Sequence, residues 1–144
     1  MSEDSNAVVV DTSALVALVA RERGSDPIVE ALSESAIWLP APVLIEFHLV
    51  SAATGNSPNP GAAAALMARL IADGARIRAF DGDCAAAATT ASALYGKGNG
   101  LGGMLNILDL MVYATAKVMG LPILCAGKDF AATDAILHPA SRRD

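Results

Sequence analysis

Four acidic residues stand at the edges of apolar segments that lie far apart in the chain: Asp11, Glu46, Asp109 and Asp129. Like charges that meet in a poorly hydrated cleft cannot all ionise cheaply, so a fold that gathers these side chains needs a compensating cation. Carboxylate oxygens are the ligands that Mg²⁺ and other hard cations prefer. The pattern therefore predicts one metal-binding acidic site that the fold assembles from distant segments.

The segments that carry these acids predict an α/β fold. Residues 7–10 form an unbroken apolar run, typical of a strand buried on both faces, and Asp11 follows it where a helix begins. Residues 36–39 predict a second strand before a helix with Glu46, a helix over 105–119 carries Asp109, and a strand over 123–125 leads to Asp129. Strands that alternate with helices predict a parallel sheet with ligand sites outside its carboxyl ends.

The remaining segments complete this alternation. A helix that Ser25 caps is predicted through residue 33, and a turn over 55–61 is predicted to join the Glu46 helix to a helix over 62–72. Residues 75–80 indicate an edge strand, and Asp81 or Asp83 would cap an alanine-rich helix that ends near Tyr95. A glycine-rich break over 96–103 follows. No repeat or linker divides the chain, so we expect one domain over residues 1–144.

Composition and net charge limit the classes of function that the chain could have. The 144 residues are 53% hydrophobic, enough for one full core, and the net charge of −5 argues against a broad basic surface for nucleic acid. Any phosphate chemistry would then need metal ions. The amino terminus has no basic signal region and no membrane span is expected, so we expect a cytoplasmic protein in which Cys84 and Cys125 are buried free thiols.

Each acid also has a local interpretation. Asp11 would serve as an N-cap, worth about 1 kcal/mol, and Asp129 as a turn residue. Glu46 shares a helix face with Val43, Leu49 and Val50, where an unpartnered acid favours a functional role. For Asp109 a functional site and a solvated stripe are equally compatible with the pattern. Asp134 is ambiguous: it follows Asp129 closely enough to share the rim of the cleft, but it also fits an ordinary surface residue of a short helix, and it is left outside the set.

Taken together, these segments resemble the PIN-domain family, and within it the VapC-type toxin ribonucleases. The resemblance covers nearly the whole chain. It rests on residues 8–15 (VVVDTSAL), residues 42–46 (PVLIE), residues 105–109 (LNILD) with 113–117 (YATAK), residues 121–124 (LPIL), residues 127–130 (GKDF), residues 133–134 (TD) and the loop Gly96-Lys97-Gly98.

The resemblance implies a PIN-like α/β/α sandwich with a central parallel sheet, and an endoribonuclease that hydrolyses RNA phosphodiesters with Mg²⁺ or Mn²⁺. Asp11, Glu46, Asp109 and Asp129 fall on the family's catalytic and metal-binding positions. It further implies an RNA substrate, a homodimer and a cognate VapB-like antitoxin that covers the acidic groove. We expect Ser13 to orient a ligand or water. Five basic residues are candidates for phosphate contacts: Lys97, Lys117, Lys128, Arg142 and Arg143.

Two alternatives stay open. Leu108 and Leu110 replace the small residues that usually flank the third acid, and such bulk would suit a non-catalytic PIN-like scaffold or an RNA-binding module. Gly98, Gly100 and Gly103 match the dinucleotide fingerprint, which suggests a nucleotide-binding domain. That fingerprint requires a strand immediately before it, whereas the alanine-rich segment there predicts a helix.

Overall fold

The fold centres on a four-stranded, fully parallel sheet, seen in a computed structural model that describes residues 6–53 and 60–143. The strands are β1 (Ala7–Val10), β2 (Ala36–Pro40), β3 (Arg76–Arg78) and β4 (Ile123–Leu124), in the spatial order β3-β2-β1-β4. β1 pairs with both β2 and β4. The predicted parallel sheet is confirmed, and β3 is an edge strand, as its alternating pattern predicted.

Six helices surround this sheet in the described ranges. Their bounds are α1 (Thr12–Val19), α2 (Asp26–Glu34), α3 (Ala41–Ala52), α4 (Pro60–Ala72), α5 (Gly82–Tyr95) and α6 (Ile107–Met119). Every residue of β1 is buried, and so are both residues of β4, because helices cover the sheet on its two faces. The architecture is therefore the α/β/α sandwich that the sequence predicted.

Helix α3 contacts both the sheet, at β2, and three other helices. It packs against α1, α4 and α6 and buries Val43, Phe47 and Ser51. Helix α6 packs mainly against α5, begins at the N-cap Asn106, and ends at Gly120, whose left-handed backbone (φ 66°) closes the helix. These contacts place the Glu46 helix and the Asp109 helix side by side.

Three details differ from the sequence prediction. Ser25 precedes α2 but makes no side-chain capping bond, because its backbone is itself helical (φ −77°, ψ −18°). β4 stops at Leu124, short of the predicted strand end at residue 125, and Asp129 lies in the turn that follows. Leu49, placed on the buried face of the Glu46 helix, is 60% exposed, because α3 packs through Val43 and Phe47 instead.

Other expectations concern single features. Cys84 and Cys125 are buried free thiols, as predicted. Helix α5 precedes the glycine-rich segment, so the strand that a dinucleotide fingerprint requires is not there and that alternative is wrong. Most of the predicted turn over 55–61 lies outside the described residues. Within them, no helix has the length and apolarity needed to cross a bilayer.

Candidate active site

Asp11 lies where β1 meets α1. Its backbone N–H donates to the Leu124 carbonyl at 3.0 Å, which extends the β1–β4 pairing, and its side chain caps α1 by accepting from the Ser13 N–H at 3.0 Å. The local prediction of an N-cap is therefore confirmed. The carboxyl group is also buried, and this burial raises its pKa from 3.8 to about 6, although the hydrogen bonds from Ser13 oppose the increase.

Asp109 lies in the first turn of α6. Its carboxylate accepts from the Asn106 N–H at 3.1 Å while the Asn106 side chain accepts from the Asp109 N–H at 2.9 Å, a reciprocal capping box. Partial burial raises the pKa of Asp109 to about 7, and the capping bond from Asn106 opposes this increase. Asp109 is thus half-buried rather than part of a fully solvated stripe, and its role as a site residue stays a prediction.

Glu46 and Asp129 reach the same region from other elements. Glu46 lies in the middle of α3 and is half-buried, and Asp129 is exposed in the turn after β4. Among the described residues, neither carboxylate forms a hydrogen bond or an ion pair. Their charges are thus uncompensated by the parts of the protein that the structure describes.

The four carboxylates interact electrostatically. After burial, the negative charges of Glu46 and Asp129 help to raise the pKa of Asp11, and those of Asp11, Asp129 and Glu46 help to raise the pKa of Asp109. The residues that the sequence singled out, Asp11, Glu46, Asp109 and Asp129, therefore converge, and we call them the acidic group. Cys125, at the end of β4, lies beside it: burial and then the charge of Asp11 raise the pKa of this thiol to about 11.

The acidic group meets one requirement of a metal site and leaves another open. Its carboxylate oxygens repel one another, and a divalent cation would relieve this repulsion. The pKa values of Asp11 and Asp109 are raised, and such a cation would displace the protons that these carboxyl groups retain. Within residues 6–53 and 60–143, however, no three potential ligands stand close enough together to hold an ion directly. Carboxylate oxygens suit Mg²⁺ or Mn²⁺, and water molecules would bridge between the ion and the carboxylates that lie too far from it to bind directly.

Ser13 anchors Asp11 to the neighbouring strand. Its hydroxyl donates to the Asp11 carboxylate at 2.5 Å and accepts from the Ala126 N–H at 2.9 Å. One side chain thus links the end of β1 to the segment between β4 and Asp129. Ser13 was expected to orient a ligand or water; in the structure it orients Asp11 itself.

Thr12 lies beside the acidic group but was not among the residues that the sequence pattern singled out. This residue is buried beside Asp11, and within the described part of the chain its hydroxyl oxygen has no hydrogen-bond partner. A buried hydroxyl without a partner costs free energy because it loses its hydrogen bonds to water. The Thr12 hydroxyl therefore remains available to a group that binds beside Asp11. No signal in the sequence distinguishes Thr12 from an ordinary first residue of a helix.

The five basic candidates divide into two sets. Lys117 pairs with Asp134 at 2.8 Å and Arg142 pairs with Glu22 at 2.7 Å, so these two charges are already partnered. Lys97, Lys128 and Arg143 are exposed and, across the described ranges, form no ion pair. These three are better placed than the first two to contact phosphates.

Asp134 is separate from the acidic group. Its carboxylate accepts hydrogen bonds from Lys117 and from the Tyr113 hydroxyl, and these bonds lower its pKa. The same carboxylate and burial together raise the pKa of Tyr113 well above its usual value. The ion pair with Lys117 compensates the charge of Asp134, which therefore lacks the unpaired charge of Glu46 and Asp129 in the described residues.

Comparison with known proteins gives the fold and the site a family context. A model described as "PIN domain" matches residues 8–136. Ribonuclease VapC42 of Mycobacterium tuberculosis is 38% identical over 135 residues, which are 92% of this chain and 98% of the relative.

Solved structures agree on the fold. VapC20 of Mycobacterium tuberculosis, described as a sarcin-ricin loop cleaving toxin, aligns with a TM-score of 0.69 at 16% identity, over 90% of this chain and 96% of that chain. A toxin–antitoxin complex from Klebsiella pneumoniae aligns with a TM-score of 0.65 at 17% identity, over 92% and 97%. At such identities the likeness concerns the fold alone.

Proposed function

The chain belongs to the PIN-domain family, and from this membership we propose that it is a metal-dependent endoribonuclease that acts as the toxin of a type II toxin–antitoxin pair. Its 38% identity to ribonuclease VapC42 over nearly the full length of both chains supports the activity. The observation that carries the proposal within the structure is the electrostatic coupling of the acidic group across four distant segments.

We assign the four carboxylates to metal binding. Asp11 and Asp109 would hold Mg²⁺ or Mn²⁺ most directly, because their raised pKa values express the strongest need for a compensating charge, and Glu46 and Asp129 would complete the site through water. When bound, such an ion lowers the pKa of a coordinated water and neutralises charge on the phosphoryl oxygens. Ser13 keeps Asp11 in position, and the capping box does the same for Asp109.

RNA must approach an acidic protein, so basic residues that form no ion pair are needed to contact its phosphates. Lys97, Lys128 and Arg143 would contact phosphates of the bound RNA, because their charges are not engaged by carboxylates in the described structure. Contacts of this kind position a strand without reading its sequence. Recognition of particular bases must come from other parts of the groove.

The decisive experiment is cleavage of single-stranded RNA with Mn²⁺ by the wild type, Asp11→Asn and Asp109→Asn. We expect each substitution to lower the rate at least about 100-fold, because it removes a charge that holds the ion while preserving the local capping bonds. Asp83→Asn is the matched control, since Asp83 is an exposed acid outside the acidic group. Undiminished cleavage by both site variants would contradict the assignment.

The second candidate function is a PIN-like scaffold without catalysis. The engagement of Asp109 in a capping box and the lack of three adjacent ligands in the described residues favour it. Leu110 does not, because it lines a groove together with Thr89 and Ser92 of α5. Calorimetric titration with Mn²⁺ separates the two functions: binding that Asp11→Asn abolishes indicates the enzyme, and no binding indicates the scaffold.

Two protein partners complete the proposal. A VapB-like antitoxin would cover the acidic groove, which the fold shared with a Klebsiella pneumoniae toxin–antitoxin complex supports. A second copy of the chain would form a homodimer, and the exposed Ile107 at the start of α6 is the kind of apolar side chain that such a contact covers. Sedimentation equilibrium tests the dimer, and a monomer mass at all concentrations would contradict it.

A further inference from the structure

The loop over residues 96–105 is closed at its base, and we call it the Asn99 loop. A parallel bridge joins Gly96 to Leu105: the Lys97 N–H donates to the Leu105 carbonyl at 2.7 Å, and the Leu105 N–H donates to the Tyr95 carbonyl at 2.9 Å. Leu105 is buried and directly precedes the capping box of α6. The loop is therefore fastened to the helix that carries Asp109.

Asn99 determines the shape of this loop from within. Its side-chain oxygen accepts from the Leu101 N–H at 2.8 Å and from the Gly103 N–H at 3.1 Å, and its amide donates to the Ala93 carbonyl at 3.2 Å. Gly103 lies against the bridge, where an added Cβ would come within 2.2 Å of the Gly96 carbonyl oxygen. The loop thus has a specified conformation despite its glycine content.

A cleft of about 180 Å³ separates the Asn99 loop from the turn after β4. Leu101 and Met104 of the loop line it, and so do Asp129 and Ala132 of the turn. Tyr95 also lines it, and its ring lies against Tyr113 with 5.6 Å between centroids. Leu101 is 78% exposed and Met104 is 51% exposed. Apolar side chains that face a cleft rather than the core are available to a ligand.

Two further properties restrict what this cleft accepts. Among the described residues that line it, Asp129 is the charged one and none is basic, so a phosphate would be repelled. The backbone N–H groups of Gly102 and Met104 donate no hydrogen bond within the described part of the chain. A lining that combines apolar side chains with polar groups suits a planar, uncharged group that carries acceptors, which describes a nucleobase.

We propose that the cleft between the Asn99 loop and Ala132 binds the base of a nucleotide adjacent to the phosphodiester that is cut. Asp129 belongs both to the cleft and to the acidic group, so a base held there places its own phosphate next to the carboxylates. The Asn99 loop is then the part of the protein that reads sequence, and the proposal rests on the proposed nuclease function.

A substitution that fills the cleft tests this site. Ala132→Trp places an indole ring in the space of the base without altering the Asn99 loop, and Ala131→Trp is the matched control, because Ala131 is an exposed neighbour outside the cleft. Cleavage of a randomised single-stranded RNA pool with Mn²⁺ first identifies a preferred sequence. RNAs of that sequence are then made with an abasic nucleotide at each position beside the cut.

We expect one abasic position to lower kcat/KM of the wild type by about tenfold, the scale of one stacked base. On intact RNA, the kcat/KM of Ala132→Trp should be lower than that of the wild type by a similar factor, and on the abasic RNA it should fall no further. The kcat/KM of Ala131→Trp should stay within about twofold of the wild type on both RNAs. If Ala132→Trp slows both RNAs equally, or slows neither, the cleft does not bind the base. If the wild type cuts no RNA, the nuclease function fails and the cleft proposal with it.

Discussion

At the scale of single residues, Asp11 and Asp109 each combine a local structural role with membership of the acidic group. Asp11 caps α1 and Asp109 completes the capping box of α6, yet the pKa of both carboxyl groups is raised. Local capping and a role in chemistry are thus compatible in one side chain, because a carboxylate has two oxygens and several lone pairs. The capping bonds stabilise the orientation in which the acids meet.

The raised pKa of Asp11 predicts a pH-dependent stability. Below its ordinary value of 3.8 the carboxyl group is protonated in both folded and unfolded chains; between 3.8 and about 6 only the folded chain keeps the proton. The free energy of unfolding therefore falls as pH rises through this window. Asp11→Asn removes that loss, so the variant should be more stable than the wild type at pH 8, by on the order of 1–3 kcal/mol.

Thermal denaturation by circular dichroism in metal-free buffer, from about pH 4 to about pH 8, measures this difference. Asp83→Asn, which changes an exposed acid, controls for the loss of one negative charge. If the wild type and Asp11→Asn respond to pH identically, the charge of Asp11 is not destabilised by its surroundings.

At the scale of elements, the ends of helices and strands decide where the acids lie. The end of β1, the start of α6 and the turn after β4 carry Asp11, Asp109 and Asp129, while Glu46 projects from the middle of α3. The apolar pattern predicted which segments form these elements. It assigned Leu49 to the wrong side of α3, because a helix that is apolar on most of its surface does not specify which face packs.

The close packing of Gly103 in the Asn99 loop leads to a prediction about stability. Gly103→Ala brings a Cβ within 2.2 Å of the Gly96 carbonyl oxygen and 2.6 Å of Tyr95 backbone atoms, so the bridge at the base of the loop must open. We expect a loss of about 2 kcal/mol in the free energy of unfolding, measured by urea denaturation. The start of α6 should also lose protection in hydrogen exchange.

Gly82→Ala is the matched control. It lies at the first residue of α5, and an added Cβ there meets nothing within 4 Å. Alanine is a better helix former than glycine, so this variant should be unchanged or stabilised, by at most about 1 kcal/mol. Equal effects of the two substitutions would mean that the close contact at Gly103 does not constrain the loop.

At the scale of the whole molecule, the sheet order brings the acidic group together. β1 lies between β2 and β4, so the carboxyl end of β1 adjoins the segment that leads to Asp129, and the packing of α3 against α6 adds Glu46 and Asp109. The repulsion among these acids exists in the folded chain and disappears when the segments separate. A ligand that relieves it binds the folded state selectively.

This selectivity predicts that divalent metal stabilises the protein. At a free Mn²⁺ concentration of about 100 times its Kd, the gain in the free energy of unfolding is about 2.7 kcal/mol, seen as a rise in Tm that depends on metal concentration. The variant with both Asp11→Asn and Asp109→Asn should show no such rise, whereas Asp83→Asn should respond like the wild type. A rise of equal size in all three proteins would indicate metal binding elsewhere.

The sequence by itself determined the elements and the candidate acids. Strand runs, capping residues and glycine stops are local signals, so the elements from the buried run of β1 to helix α6 could be recognised without a fold. The parallel order also followed, because strands that alternate with helices have few ways to form a sheet. The resemblance to the PIN-domain family added the common site.

Only the tertiary structure decided the surroundings of each charge. It paired Lys117 with Asp134 and Arg142 with Glu22, left Lys97, Lys128 and Arg143 for other contacts, and formed a cleft between the Asn99 loop and the turn of Asp129. These outcomes depend on distances between segments that are remote in the chain. Such distances result from the packing of all elements together, and no local pattern of residues encodes them.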